Sequence, residues 1–139
     1  MTLLAEIVAR LGKYPQAKYK YQNKSIVVSP TSASGFEVGL SIDSRGYTVS
    51  FSGWHEKFES REEALSCFVF GLSDQCRLKE FRRGGMAYRW TVESLERDSW
   101  IADSTTGLFL FPFWGSREIR YLQNNLIIQQ SQDRHEPSF

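Results

Sequence analysis

The residue types with the most chemical potential lie in one run, "SGWHEKFESREEALSCFVFGLSD", from Ser52 to Asp74. His55 stands beside Glu56, and a thiol, Cys67, follows further along. A His-Glu pair opens the zinc-protease signature, which needs a second histidine one helical turn later so that both rings reach one metal. That position holds Glu59, and the remaining histidine, His135, lies far away in sequence. The spacing therefore implies no metal site. His55 with a nearby carboxylate could still serve a small-molecule site or acid–base catalysis. The plainer reading makes it a surface residue where a strand exits. Cys67 falls among apolar neighbours in a helical pattern, whereas reactive thiols favour helix N-termini or basic surroundings. Cys76 begins a strand beside Arg77, and both cysteines fit as small apolar packing residues. Asp43, Asp98 and Asp103 fall in or near turns and strands, with no spacing that sets two of them around a substrate. Cys-x-x-Cys, G-x-S-x-G, G-x-G-x-x-G and Walker patterns are all missing from the sequence. Neither a catalytic residue nor a cofactor is implied.

The elements that must hold these residues are easier to read. Ser60 followed by Glu63 is a capping box, which satisfies free N–H groups at a helix start. On the helix that follows, Leu65, Phe68, Val69 and Leu72 form a core stripe, while Cys67 and Phe70 point the other way. A helix apolar nearly all round is covered on two sides. One cover is its own sheet. The other is the N-terminal helix, the C-terminal segment or a partner. Upstream, "TLLAEIVARLG" puts Leu3, Leu4, Ile7, Val8 and Leu11 on one helical face, with Thr2 as cap and Gly12 and Pro15 as stops. "AKYKY" and "KSIVVS" read as strands turned at Gln22-Asn23. "FEVGLSI" and "YTVSF" flank the turn "DSRG", with Phe36, Val38, Leu40 and Ile42 on one face and Tyr47, Val49 and Phe51 on the other strand.

Beyond the central helix, "CRLKEFRRGGMAYRWTVES" reads as a hairpin turned at Gly84-Gly85. A regular register opposes Phe81 to Tyr88, Lys79 to Trp90 and Glu80 to Arg89. "SWIADSTTGLFLFPFWG" gives one or two further strands, and "SREIRYLQNNLII" has the spacing of a possible C-terminal helix through Ile119, Leu122 and Leu126. The run Leu108–Trp114, "LFLFPFW", does not alternate, so it is either covered on both faces or open to a partner. Pro112 lacks an N–H and favours an edge. The expected fold is α+β: an antiparallel sheet of about seven to eight hairpin-built strands, with an N-terminal helix, a central helix and an optional C-terminal one. Residues 1–124 would form a single domain and 125–139 a flexible tail.

Composition excludes some classes. The chain has 139 residues, 41% of them hydrophobic and 24% charged, which is globular rather than disordered. A formal net charge of +1 supplies no global field for nucleic acid or anionic membrane. Basic and aromatic residues do cluster between Arg77 and Arg89, which leaves nucleic-acid binding through that hairpin as a third reading, although the RNA-recognition signature is missing. No signal sequence or spanning segment is evident, so a soluble, cytoplasmic protein is expected.

The segments "GWHEKF", "EEALSCFVFGLSD", "YRWTVE" and "TTGLFLFPFW" together resemble a group of small bacterial proteins with no assigned activity, over roughly Phe36 to Asn124. That resemblance implies a bacterial, cytoplasmic origin and no chemistry. The layout is similar to secretion chaperones and toxin-immunity proteins, which implies a binder. The sequence is therefore read as a non-catalytic protein-interaction module that pairs with another protein or with itself. Trp54, His55, Phe70, Phe111 and Trp114 are the expected partner-binding residues.

Overall fold

The computed structural model describes residues 2–108 and 114–128. Helix α1 (Leu3–Leu11) begins where Thr2 Oγ1 accepts the Ala5 N–H at 3.1 Å, and it buries Leu3, Leu4, Ile7 and Leu11. Five strands follow: β1 (Lys18–Gln22), β2 (Ser25–Ser29), β3 (Val38–Asp43), β4 (Gly46–Phe51) and β5 (Trp54–Phe58). They form an antiparallel sheet in chain order. Helix α2 (Arg61–Leu72) leads to a second antiparallel sheet of β6 (Cys76–Arg83), β7 (Met86–Glu96), β8 (Ser99–Gly107) and β9 (Arg117–Leu122), ordered β8-β7-β6-β9. The protein is thus α+β, with nine strands in two sheets and two helices among the described residues. None of those helices is long and apolar enough to cross a membrane.

The first hairpin pair behaves as its alternation demands. Val38 pairs with Phe51, Leu40 with Val49 and Ile42 with Tyr47, so the apolar residues of both strands share a face. Helix α2 packs on β3, β4 and β5 and also contacts β6. Its near-continuous apolar surface therefore meets both sheets. Phe68 and Ala64 are fully buried, and Cys67 and Phe70 pack against the same core from the flanks. The two sheets also meet along β5, which contacts β7 and β8.

Three elements differ from the sequence reading. Trp54–Phe58 is a strand rather than an exit into a loop. Ser52 takes φ 52° in a tight turn before it, and β5 is an edge whose charged residues mask its alternation. The segment Arg117–Leu122 is strand β9, not a helix. Ile119 and Tyr121 share one face and Leu122 the other, a period of two that the helical spacing of Ile119, Leu122 and Leu126 obscured. Finally, the packed chain runs past residue 124: Leu126 and Ile127 are buried and join the core.

That last segment is a strap. The Asn124 side chain accepts the Phe36 N–H at 3.0 Å and donates to Phe36 O at 3.1 Å and Gly71 O at 2.9 Å. Ile127 N–H donates to Leu72 O, and Asp74 N–H donates to Ile127 O. One buried amide thus ties the loop before β3, the end of α2 and the chain after β9 into one unit.

Candidate functional site

The β6–β7 hairpin does not keep a regular register. Arg83 pairs with Met86 and Arg82 with Ala87, but Phe81 pairs with Arg89, so Tyr88 is an extra residue in a β-bulge. One inserted residue exchanges the faces of everything beyond it. The expected pairs Phe81–Tyr88, Lys79–Trp90 and Glu80–Arg89 are therefore replaced by Phe81–Arg89, Lys79–Thr91 and Glu80–Trp90. Trp90 and Val92 turn inward, beside Leu78, Ser104 and Thr106. There the Trp90 indole N–H donates to Glu80 Oε2 at 3.3 Å, and Glu80 Oε1 accepts from Arg82 at 2.8 Å. Gly53 lies against this indole: a Cβ there would stand 2.3 Å from the ring.

The bulge gathers a different set on the outer face. Read across β9, β6, β7 and β8, one row holds Tyr121, Lys79, Thr91 and Thr105. The next holds Ile119, Phe81, Arg89 and Gly107. Arg117, Arg83 and Met86 lie beyond on one side, and Arg77, Glu93 and Ala102 on the other.

On this face three of the cations, Arg77, Lys79 and Arg89, lie near aromatic rings. The Arg77 guanidinium sits 4.5 Å from the Trp100 ring centroid and 4.2 Å from that of Tyr121, and it binds Glu93 at 2.6 Å. Lys79 Nζ is 5.1 Å from the Phe81 centroid and 5.9 Å from that of Tyr121. Arg89 lies 4.0 Å over Phe81 and 6.0 Å from Tyr88. Such contacts contribute about 0.5–1 kcal/mol each at exposed sites. Their larger effect is to hold long side chains in fixed places.

The expected partner residues are scattered. Trp54 is 3% exposed, stacks on Phe51 with centroids 4.6 Å apart, and donates its indole N–H to Ser104 Oγ at 2.9 Å. It is an inter-sheet anchor and not a surface residue, because its place on β5 faces the second sheet. His55 is exposed on the same strand, and its backbone exchanges two long bonds, 3.4 Å each, with the Thr106 hydroxyl. That contact occupies part of the outer edge of β5. Phe70 is half-buried against the core. Phe111 lies outside the described residues, with most of the Leu108–Trp114 run. Trp114 is 77% exposed. His55 lies on β5, Phe70 on α2 and Trp114 in the turn before β9, so the three form no common site.

The thiols are placed for packing. Burial pushes the Cys67 thiol up to about 12, with Glu56 adding to the shift. Burial also raises Cys76 well above the usual thiol range, with Cys67 and Asp103 adding to it. Among the described residues no cluster of three His, Cys, Asp or Glu side chains could hold a metal ion. A shallow hollow of about 290 Å³ lies between Asp43, Arg45, Tyr47 and Lys57, with Phe58 and Glu59 on its rim. It is open to solvent. The sequence signal that could have found the outer face was there: Arg77, Lys79, Arg83 and Arg89 interleaved with aromatics. What hid it was the single bulged residue. No protein-family model, curated protein or solved structure matches the chain.

Proposed function

We propose that this is a non-catalytic protein-binding module and that it docks its partner on the outer face of the four-stranded sheet. One observation carries the reading. A chain of net charge +1 sets five cations, Arg77, Lys79, Arg83, Arg89 and Arg117, against one acid, Glu93, on a single sheet face. The same face leaves Met86, Ile119 and Tyr121 exposed. Apolar area within a polar surround, with arginine and aromatics enriched, is the composition of an interface.

The test is site-specific photo-crosslinking in the cells that make the protein. A crosslinker replacing Ile119 is expected to capture one identified protein, whereas one replacing Tyr19, exposed on β1 of the other sheet, is not. The captured protein, purified, should bind wild type and lose about tenfold or more in affinity to a Lys79→Glu, Arg117→Glu variant. Equal capture at both positions, or a purified complex indifferent to those substitutions, would remove this face as the docking surface.

A further inference from the structure

We infer that the partner presents an acidic, extended polypeptide segment to this face, with carboxylates at alternate positions, and that the face does not read nucleic acid. The inference rests on the binding role proposed above and adds the chemistry of what binds.

The charge gives the sign. Five cations against one acid leave +4 on this face, so the rest of the chain, at a total of +1, carries −3. An approaching anion meets a local field that the whole-chain value conceals.

The rings give the class. Sheets that bind single-stranded nucleic acid do so by stacking bases on open aromatic faces. Here each of those rings has a cation beside it, and only Tyr121 is largely exposed. Arg89 covers Phe81, Arg77 lies against both Trp100 and Tyr121, and Lys79 approaches Phe81 and Tyr121. Phe81 and Tyr88 are both buried. A base stacking on Phe81 would have to displace Arg89, a cation itself needed against phosphate. A carboxylate needs no such displacement. The Arg89 guanidinium over Phe81 can turn its N–H groups to a carboxylate's two oxygens, while Arg77 already bonds Glu93 through Nε and Nη2.

The sheet gives the spacing. Successive outward residues of one strand stand about 6.8 Å apart, which is also the distance between side chains i and i+2 of an extended peptide. A segment lying along β6 therefore brings one side chain to each of the rows of Arg77, Lys79, Phe81 with Arg89, and Arg83. Ile119 and Met86, both exposed, border the last two of these rows and suit an aliphatic side chain among the acids.

Fluorescence anisotropy at physiological salt tests this with three labelled probes of equal length or charge. They are a Glu-Val-Glu-Ser repeat peptide, the same composition with its glutamates in one block, and an oligothymidylate of matched charge. The alternating peptide is expected to bind at least several-fold tighter than either other probe. Arg117→Glu and Lys79→Glu should each weaken it about tenfold. Both variants must keep the wild-type urea midpoint, and Arg117, exposed on an edge strand, carries the result if Lys79→Glu does not fold. An oligothymidylate that binds tighter overturns the acidic-segment assignment. So does an alternating peptide that binds no better than the blocked one, or one indifferent to Arg117→Glu. Those failures leave the Ile119 cross-link intact, whereas loss of the cross-link removes the docking face itself.

Discussion

Asn124 shows how much one side chain can carry. Its amide is buried and makes three hydrogen bonds to backbone groups of Phe36 and Gly71, far away in sequence. Asn124→Ala leaves buried backbone groups unpaired and is expected to cost about 2–3 kcal/mol, read as a fall in urea midpoint. Its neighbour Asn125, exposed and bonded only through Thr31 in the described set, should change stability by no more than about 0.5 kcal/mol on substitution by alanine. Nothing in the sequence distinguishes these two asparagines, because burial is decided by the strap and not by local pattern. The cysteines were legible as packing residues. With the Cys67 thiol pushed up to about 12 by burial and then by Glu56, native protein at pH 8 should react with iodoacetamide more than about a hundredfold slower than unfolded protein. The raised value also has a sign for stability. The protonated thiol is favoured in the folded state, so its contribution is whole below the ordinary thiol range and is lost as pH climbs from there towards 12. Cys67→Ala should therefore flatten part of the alkaline fall in melting temperature.

At the scale of elements, the clearest sequence signals were those with a local cause. Ser60 caps α2 as its spacing from Glu63 implied, accepting the Glu63 N–H at 3.2 Å, while its own hydroxyl donates to Glu62. Ser60→Ala should lower stability by about 1 kcal/mol in urea melts. The alternating β3–β4 hairpin was equally legible. β5 and β9 were not, since each is an edge strand with charges at positions that an inner strand would keep apolar. The β7 bulge was invisible for a different reason. A two-glycine turn predicts a regular register, and nothing in "GMAYRW" marks Tyr88 as the extra residue. Gly53 offers a test of the resulting packing. Its Cβ would press on the Trp90 ring, so Gly53→Ala should cost about 1–3 kcal/mol, and Trp90→Leu in the same chain should recover part of that loss. Additive effects would show that the indole does not lie against Gly53.

At the scale of the whole molecule, α+β was readable from the order of hairpins and helices, whereas the division into two sheets was not. It depends on β5 crossing against β7 and β8, a contact with no sequence signature. The uneven charge follows from that division, because the outer face of the second sheet gathers five cations and one acid among the described residues. Two copies meeting through that face would oppose like charges. Sedimentation at low salt, where repulsion is least screened, should therefore give the monomer mass at every concentration tested. A concentration-dependent mass that Arg117→Glu alters would contradict this. The strap has a temporal consequence. During synthesis α1, the first sheet and α2 emerge long before Asn124 and Ile127, yet the carbonyls of Gly71 and Leu72 accept their bonds from those late residues. A nascent chain stalled before residue 117 lacks both β9 and the strap, so it holds a helix end with unmet carbonyls and a second sheet without its edge. Folding to protease resistance should thus appear late, as a step when the strap clears the exit tunnel, and not as a gradual gain from the N-terminus.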